Sequence, residues 1–338
     1  MLRLLRPPIL ERNGSAMVRI SEDVRKGVVF FGVRNAKKIE YGGTGFLVLE
    51  TTRSGTGISY LVTARHVAES LDVDFLIRAN LKNGGLEDIP IEQINWLYPD
   101  NPLIDIAVAQ FSMPSQYDHY YYSIDDIPSP QEMVMCGDAI AIVGLFRLHF
   151  GSGRNIPIVH SGHVAALADQ REPIPSRNTA TKVVSPIVAH LVEAQTLDGL
   201  SGSPVFVQVY GHLTQFKIDT LDNVHPLVLA TDKLFGIYHG SWDGLPGTIL
   251  ARDRNMSGGM RVPVGMGLVT PAEELISLIK NHPVLKTSRR ELEDRELSSK
   301  AATADSSFIG DDGNPSHKED FTSLLNAAVQ KPKKDDGT

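Results

Sequence analysis

The sequence contains a single cysteine, Cys136, among its 338 residues. One cysteine cannot form an intrachain disulfide, so the fold has to be held together by packing and hydrogen bonds. Such a chain is typical of a reducing compartment. The segment around Cys136, EMVMCGDAIAIVGLF, resembles a strand, and we expect its thiol to be a small buried apolar group without a chemical role.

Long apolar runs and an excess of positive charge are also missing. No segment approaches the roughly 18 apolar residues of a membrane span. The N-terminal MLRLLRPPILERNG is interrupted by Arg and Pro before a signal-peptide core could form. The formal net charge of -7 argues against a nucleic-acid partner, because such proteins concentrate Lys and Arg. We therefore expect a cytoplasmic protein that binds neither nucleic acid nor membrane.

What the chain does contain is a series of short β-rich segments between about residues 24 and 285. GVVFFGV, GTGFLVLE, ISYLVTA, IDIAVAQF, AIAIVGLF, SPVFVQVY and KLFGIYHG are separated by Gly, Pro, Asn and Asp. This regular spacing predicts an all-β fold of sandwiches or barrels. The segment TPAEELISLIKNH predicts a closing helix over about 271–282, with Thr270 as N-cap and Pro271 in the first turn.

The composition changes after Lys286, where Ser, Asp and Glu dominate and aromatics are almost absent. Such a segment cannot bury enough apolar surface to offset its chain entropy, which predicts a mostly disordered tail over 286–338. An N-terminal extension is expected over 1–23. Within the tail, the segment 320–330 has apolar residues at helical spacing after Asp320. It is either a short helix of the protein itself or a peptide that binds a regulatory protein partner.

Three polar residues lie in contexts that favour acyl transfer. His66 follows the strand YLVTA, Asp105 precedes an apolar strand, and Ser201 lies in the Gly-rich turn DGLSGSPVF. A serine hydroxyl is a poor nucleophile unless an imidazole takes its proton and a carboxylate orients the imidazole. An acid entering an apolar strand is costly unless it is hydrogen-bonded, so Asp105 needs a partner. Together the three indicate a nucleophile, a base and an orienting acid.

The motifs around these residues resemble the chymotrypsin-like (trypsin-fold) serine proteases, including the bacterial trypsin-like peptidases related to the HtrA group. GTGF at 43–46, TARHV around His66, DIAV at Asp105 and GLSGSP at 199–204 follow in that order. His66 and Asp105 are 39 residues apart, and Asp105 and Ser201 are 96 apart. The resemblance covers about residues 24–285. It implies two six-stranded antiparallel β-barrels, without a PDZ domain, in which the first carries His66 and Asp105 and the second carries Ser201.

The resemblance also implies roles for the residues in the turn. Ser201 would attack a peptide carbonyl, and the amides of Gly199 and Ser201 would form the oxyanion hole, because Gly199 permits a tight turn. Leu200 replaces the Asp that pairs with a newly cut amino terminus in activated secreted members. Zymogen-style activation is therefore not expected, and whether the oxyanion loop is preformed stays open. No metal or organic cofactor is implied.

Substrate-binding residues follow from aligning the same turn. Gln195 would occupy the base of the specificity pocket, or be a surface residue. The strand from Tyr238 through His239 and Gly240 would pair with the substrate backbone, with Gly267 on the opposite wall. An uncharged Gln195 favours small, apolar or polar side chains at the cleaved position. His239 is either a second histidine near the cleft or a packed core residue.

The expected function is thus an intracellular serine endopeptidase acting on proteins or peptides. The alternative is a latent or inactive trypsin-like scaffold that acts through protein contacts of its tail. An α/β-hydrolase is excluded, because its elbow motif requires Gly where this chain has Ser203, and it places the serine before the histidine in the chain.

Overall fold

The structure is a computed structural model that describes residues 18–35, 38–71, 74–128, 134–177, 184–195, 197–220, 223–244 and 262–307. Strands dominate, which confirms the all-β prediction. Two compact units are distinguished, Met1–Lys286 and Thr287–Thr338. In chain order the elements are α1 (Glu22–Lys26), β1 (Val28–Asn35), β2 (Lys38–Thr51), β3 (Gly57–Thr63), α2 (Arg65–Ser70), β4 (Phe75–Asn80), β5 (Leu86–Ile91), β6 (Ala107–Gln110), β7 (Tyr122–Ser123), a 3-10 turn (Ile124–Asp126), β8 (Ala139–Gly144), β9 (Ile158–Ala166), β10 (Ile174–Arg177), β11 (Val184–Ile187), β12 (His190–Glu193), β13 (Pro204–Thr220), β14 (Asn223–Gly244), β15 (Val262–Pro271), α3 (Ala272–Asn281) and α4 (Pro283–Ser307).

The N-terminal half forms a seven-stranded sheet in the order β5-β4-β1-β2-β3-β6, and β7 pairs with β2. Among the described residues no strand ladder joins β5 directly to β6. The segment that follows β5 makes this connection instead, because the backbone of Leu97 exchanges two hydrogen bonds, of 2.8 and 3.0 Å, with Val108 of β6. An isolated bridge, rather than a ladder of paired residues, thus lies where the expected N-terminal barrel would close.

The C-terminal half forms a closed barrel in the order β12-β15-β14-β13-β8-β9, which confirms a six-stranded barrel. Helix α3 packs against β14 and β15. Thr270 is not its N-cap as predicted, because Thr270 belongs to β15, and Pro271 caps the helix instead. The barrel core consists of Ile140, Ile142, Val164, Val192, Ala194, Leu200, Val205, Val207, Val209, Phe235, Tyr238 and Val269.

A buried arginine links the N-terminal sheet to the segment that follows β8. Arg78 on β4 donates to the Asn155 side chain at 2.8 Å and to the Gly151 carbonyl at 2.6 Å. Its guanidinium lies 4.8 Å from the Tyr41 ring centre and 4.9 Å from that of Phe150. Because a buried charge is costly without partners, these contacts fix the segment against the sheet.

Two further sequence predictions differ from the structure. Cys136 is exposed rather than buried, because it lies in a turn with Gly137 at φ +92° and β8 begins only at Ala139. Part of the segment predicted to be disordered is helical, since α4 spans Pro283–Ser307. Glu, Lys, Arg, Leu and Ala are strong helix formers, and Pro suits the first helical position.

Some predicted segments lie outside the described residues, namely 1–17 of the N-terminal extension and 308–338, which includes the 320–330 segment. Among the helices described, none combines the length and the apolar character that crossing a membrane requires.

His190 on β12 gives the barrel a pH-sensitive contribution to stability. Its ring stacks on Phe235 with centres 4.2 Å apart, and its Nδ1 accepts the Ala168 N–H at 2.9 Å. Burial lowers the pKa of His190 to about 4. In the unfolded chain His190 binds a proton near pH 6.5, whereas in the folded chain it stays neutral down to about pH 4. This favours unfolding increasingly as the pH falls from about 6.5 to about 4.

We expect His190→Asn to remove this part of the pH dependence, because Asn can still accept from Ala168 but does not titrate. Wild type should lose up to about 3 kcal/mol more stability than the variant between about pH 7 and about pH 4. Urea unfolding of both proteins at several pH values measures the difference. Identical pH slopes would contradict the prediction.

Candidate active site

Two glycines in left-handed conformations shape the turn that carries Ser201. Gly199 has φ +101° and Gly202 has φ +86°, a region that side chains other than Gly rarely adopt. A Cβ atom at position 202 would lie 2.1 Å from the carbonyl oxygen of Thr44. Between the glycines, Leu200 is fully buried in the barrel core. The GLSG sequence is therefore explained by one anchored side chain between two glycines that adopt the left-handed conformation.

Thr44, the threonine of the GTGF motif, attaches this turn to β2. Its N–H donates to the Ser201 carbonyl at 3.0 Å. Its hydroxyl donates to the Gly199 carbonyl at 2.8 Å and accepts the Leu145 N–H at 3.0 Å. Thr44 is completely buried. The motif used in the sequence analysis thus serves to hold the serine turn against the N-terminal sheet.

His66 and Asp105 are joined by two hydrogen bonds. The backbone N–H of His66 donates to Asp105 Oδ1 at 3.0 Å, and Nδ1 lies 2.8 Å from Oδ2. A carboxylate only accepts hydrogen bonds, so Nδ1 carries the proton and Nε2 is the basic nitrogen. Helix α2, which begins one residue before His66, positions the backbone N–H. The expectation that Asp105 needs a partner is satisfied here.

Burial and charge act in opposite directions on this pair. Burial alone would lower the pKa of His66, but the charge and hydrogen bond of Asp105 outweigh it and raise that pKa. Burial alone would raise the pKa of Asp105, but the imidazoles of His66 and His239 hold it well below its usual range. The arrangement therefore favours an anionic Asp105 beside an imidazole that binds a proton readily.

Ser201 and His66 both lie next to His239. The Ser201 hydroxyl donates to the backbone carbonyl of His239 at 3.0 Å. The ring centres of His66 and His239 are 4.8 Å apart. The structure thus brings the three residues singled out from the sequence together around a fourth.

His239 contacts Asp105 directly, which answers the question the sequence left open. Its Nδ1 lies 2.5 Å from Asp105 Oδ2, and its Nε2 lies 3.0 Å from the Ser176 hydroxyl. Ser176 was not identified from the sequence. It lies on β10, in a two-stranded sheet outside the barrel, and nothing in its local sequence marks this long-range contact.

The amides of Gly199 and Ser201 point away from the carbonyls that precede them. The Asp198 carbonyl accepts the Arg147 N–H at 3.0 Å, and the Leu200 carbonyl accepts the Ser203 N–H at 2.9 Å. In a trans peptide the C=O and the following N–H have opposite directions. Within the described part of the chain, neither the Gly199 nor the Ser201 N–H has a hydrogen-bond partner.

The residues expected to bind substrate have different surroundings. Gln195 is exposed at the end of β12, and Gly240 lies near Ser201, since a Cβ there would be 3.9 Å from Ser201 Oγ. Tyr238 does not fit its expected role. Its N–H donates to the Ser203 carbonyl and its C=O accepts the Gly202 N–H, both at 2.8 Å, so neither can pair with a substrate backbone. The sequence pattern does not reveal this internal pairing.

The expected pocket wall at Gly267 is covered by the Tyr238 side chain. A Cβ at Gly267 would lie 2.7 Å from the Tyr238 ring and 3.1 Å from Val192. Tyr238 is 1% exposed. The aromatic ring therefore fills space that the sequence analysis assigned to a substrate side chain.

An open cavity of about 720 Å³ lies nearby but does not include the site. It is lined by the end of α2 and by residues 92–96 and Tyr98. None of His66, Asp105 and Ser201 contributes to it, so its size says nothing about the chemistry of the serine turn.

His66, Asp105 and His239 are also the described residues that could hold a metal ion, with ligand atoms within 4.8 Å of one another. The ligands of a tetrahedral ion with bonds of about 2.1 Å lie roughly 3.4 Å apart. The nitrogen-to-oxygen distances of 2.8 and 2.5 Å are shorter than this. They fit protons shared between imidazoles and a carboxylate.

No protein-family model matches this chain, and no curated protein matches it. Among solved structures, it is similar to the apo MamO protease domain from Magnetospirillum magneticum, at 15% sequence identity and a TM-score of 0.44. The similarity covers 76% of this chain and 97% of that chain. It is a coarse likeness of chain trace to a protease domain, so the residue roles depend on the contacts described above.

We expect Thr44→Val to destabilise the serine turn specifically. The change keeps the shape of the side chain but leaves the buried Gly199 carbonyl and Leu145 N–H unpaired, at about 1–3 kcal/mol for each group. Urea unfolding measures the loss, and amide hydrogen exchange should quicken at residues 199–202. The control is Thr51→Val at an exposed position of the same strand, for which we expect a change within about 0.5 kcal/mol. Equal effects of the two variants would contradict the prediction.

Proposed function

We propose that this protein is a serine endopeptidase in which Ser201 is the nucleophile, His66 the general base and Asp105 the orienting acid. The observation that carries the proposal is the double hydrogen bond from His66 to the buried Asp105, beside a serine on a tightly anchored turn. That double contact fixes both the orientation and the tautomer of the ring, which leaves Nε2 free to accept a proton.

The proposed reaction follows from these positions. As Ser201 Oγ attacks the carbonyl carbon of the scissile peptide, its proton passes to His66 Nε2, and the charge of Asp105 stabilises the imidazolium. The negative oxygen is stabilised by the Gly199 and Ser201 N–H groups. His66 then gives the proton to the leaving amine, and water, activated in the same way, hydrolyses the acyl-enzyme.

Substrate binding is expected to release the serine hydroxyl. In the structure this hydroxyl donates to the His239 carbonyl. A substrate N–H that pairs with that carbonyl would take the place of the hydroxyl, and rotation about the Cα–Cβ bond of Ser201 would turn it towards His66. The burial of Leu200 supports a turn that is held by packing and needs no new amino terminus.

The same hydrogen bond favours a second candidate function, a latent protease-like scaffold that acts through its tail. A Ser201 hydroxyl that donates to the His239 carbonyl does not donate to Nε2 of His66. Deletion of residues 287–338 separates the two functions: peptidase activity that persists while partner binding is lost would assign the tail a role of its own. The cytoplasmic location remains part of the proposal, supported by the single cysteine.

The first test of the enzyme is labelling with a fluorophosphonate probe, which reacts with activated serines without needing the natural substrate. We expect wild type to be labelled and both Ser201→Ala and His66→Ala to lose at least about 99% of the labelling rate. Ser203→Ala, which removes another hydroxyl from the same loop, should label normally. Labelling that survives Ser201→Ala would disprove the assignment.

The pH dependence of labelling tests the role of Asp105. Only neutral His66 can accept a proton, and its pKa is raised. The labelling rate of wild type should therefore fall on the acid side with a midpoint above about 6.5. Asp105→Asn should lower the midpoint and reduce the rate by roughly 1,000-fold or more, because the Asn amide no longer selects the correct tautomer. An unchanged midpoint would contradict the role of Asp105.

A further inference from the structure

The buried carboxylate of Asp105 receives three N–H donors, and one of them comes from outside the proposed mechanism. Oδ1 accepts the backbone N–H of His66, and Oδ2 lies within hydrogen-bond distance of the Nδ1 atoms of both His66 and His239. Two imidazoles therefore share one oxygen. Since each strengthens the negative form of Asp105, they compete for the same charge.

The imidazole of His239 also contacts a second serine, Ser176. Asp105 only accepts, so Nδ1 of His239 carries a proton, and Nε2 is left to pair with another group. The Ser176 hydroxyl lies 3.0 Å from Nε2 and forms a hydrogen bond with it. The sequence Ser176, His239, Asp105 thus repeats the chemical order of Ser201, His66, Asp105 on the opposite side of one carboxylate.

The two serine–histidine pairs on Asp105, which we call the His66 arm and the His239 arm, differ in solvent exposure. Ser176 is buried, with 6% of its surface exposed, so a peptide carbonyl cannot reach its hydroxyl. The His239 side chain is 18% exposed, against 33% for His66. The arm through His66 is therefore the one open to substrate, and the arm through His239 is closed.

We propose that His239, held by Ser176, is a positioning residue that fixes the Asp105 carboxylate and takes part of the charge of Oδ2 away from His66. This rests on the proposed function, in which Asp105 orients His66. The donor from β14 prevents the carboxylate from rotating about its side-chain bonds when His66 changes its protonation state during the reaction.

Removing the His239 donor has a predictable electrostatic sign. Oδ2 would then give its full charge to His66, and the protonated form of His66 would be favoured, whatever the charge on His239 had been. The groups that face His66 are Glu69 from its own helix and Asp105 and His239 from other elements. Glu69 forms an ion pair with Arg65 at 2.7 Å. Neither of these two residues is substituted in the variants below.

Two substitutions of similar size separate the two contacts of His239. His239→Asn places an amide N–H near the former Nδ1, which keeps the donor to Asp105 and loses Ser176. His239→Gln places its amide near the former Nε2, which keeps the Ser176 contact and loses the donor to Asp105. Both are polar and smaller than His, so a general effect on packing should be alike in the two.

The decisive measurement is the pKa of His66, obtained by NMR titration of its ring in a Ser201→Ala background. We expect His239→Gln to raise this pKa by roughly half a unit or more and His239→Asn to leave it close to the parent value. This readout does not require activity, so it stands even if the proposed peptidase function fails. No shift in His239→Gln, or equal shifts in both variants, would overturn the proposal.

The rate of fluorophosphonate labelling supplies the second readout in the Ser201-containing protein. His239→Gln should slow labelling by roughly 10- to 100-fold and move its acid midpoint to higher pH, since a hydrogen bond to a charged group is lost. His239→Asn should keep the midpoint and slow labelling less than His239→Gln does. Peptide mapping should find the adduct on Ser201, and an adduct on Ser176 would overturn the assignment of a positioning role.

Discussion

The carboxylate of Asp105 is the constraint on which the arrangement of this protein depends. A buried charge costs several kcal/mol unless hydrogen-bond donors replace its water. The donors here come from α2, which lies between β3 and β4 of the N-terminal sheet, and from β14 of the C-terminal barrel. Because neither half supplies all of them, the charge is fully satisfied only when both halves meet at this point. The site and the interface between the halves are thus the same structural feature.

The glycines and Thr44 show how little sequence is needed to place a reactive side chain. Two residues that tolerate a left-handed backbone bend the chain, and a buried leucine anchors it. Thr44, from another strand, then donates hydrogen bonds to the Gly199 and Ser201 carbonyls, which the bend would otherwise leave unpaired. The carbonyls of Gly199, Leu200 and Ser201 all have partners, whereas the Gly199 and Ser201 N–H groups have none among the described residues.

Sequence reasoning identified His66, Asp105 and Ser201 because each lies at a strand end or in a turn with a distinctive local pattern. It also identified the closed barrel, since strands and turns are marked by composition over short distances. His239 stayed ambiguous, because a histidine in a strand looks the same whether it packs in a core or meets a carboxylate. Ser176 gave no signal at all, since its contact joins positions that are 63 residues apart.

Other differences also have physical causes. The burial of the Tyr238 ring against Gly267 depends on two strands meeting in three dimensions, which composition does not encode. The helix Pro283–Ser307 forms from residues with high helix propensity, whereas the prediction of disorder considered only how little apolar surface they could bury. Charge-rich segments satisfy both descriptions, so composition alone does not decide between them.

The bond between Thr44 and the serine turn also concerns the order in which the protein is made. During synthesis the chain emerges from its N-terminus, so β2 with Thr44 is available long before the turn at residues 199–202. The turn can adopt its final shape only after the barrel strands on either side have closed around Leu200 and brought it to β2. A nascent or partly unfolded chain therefore lacks an organised serine turn, and in the proposed enzyme it would not react before the barrel has closed.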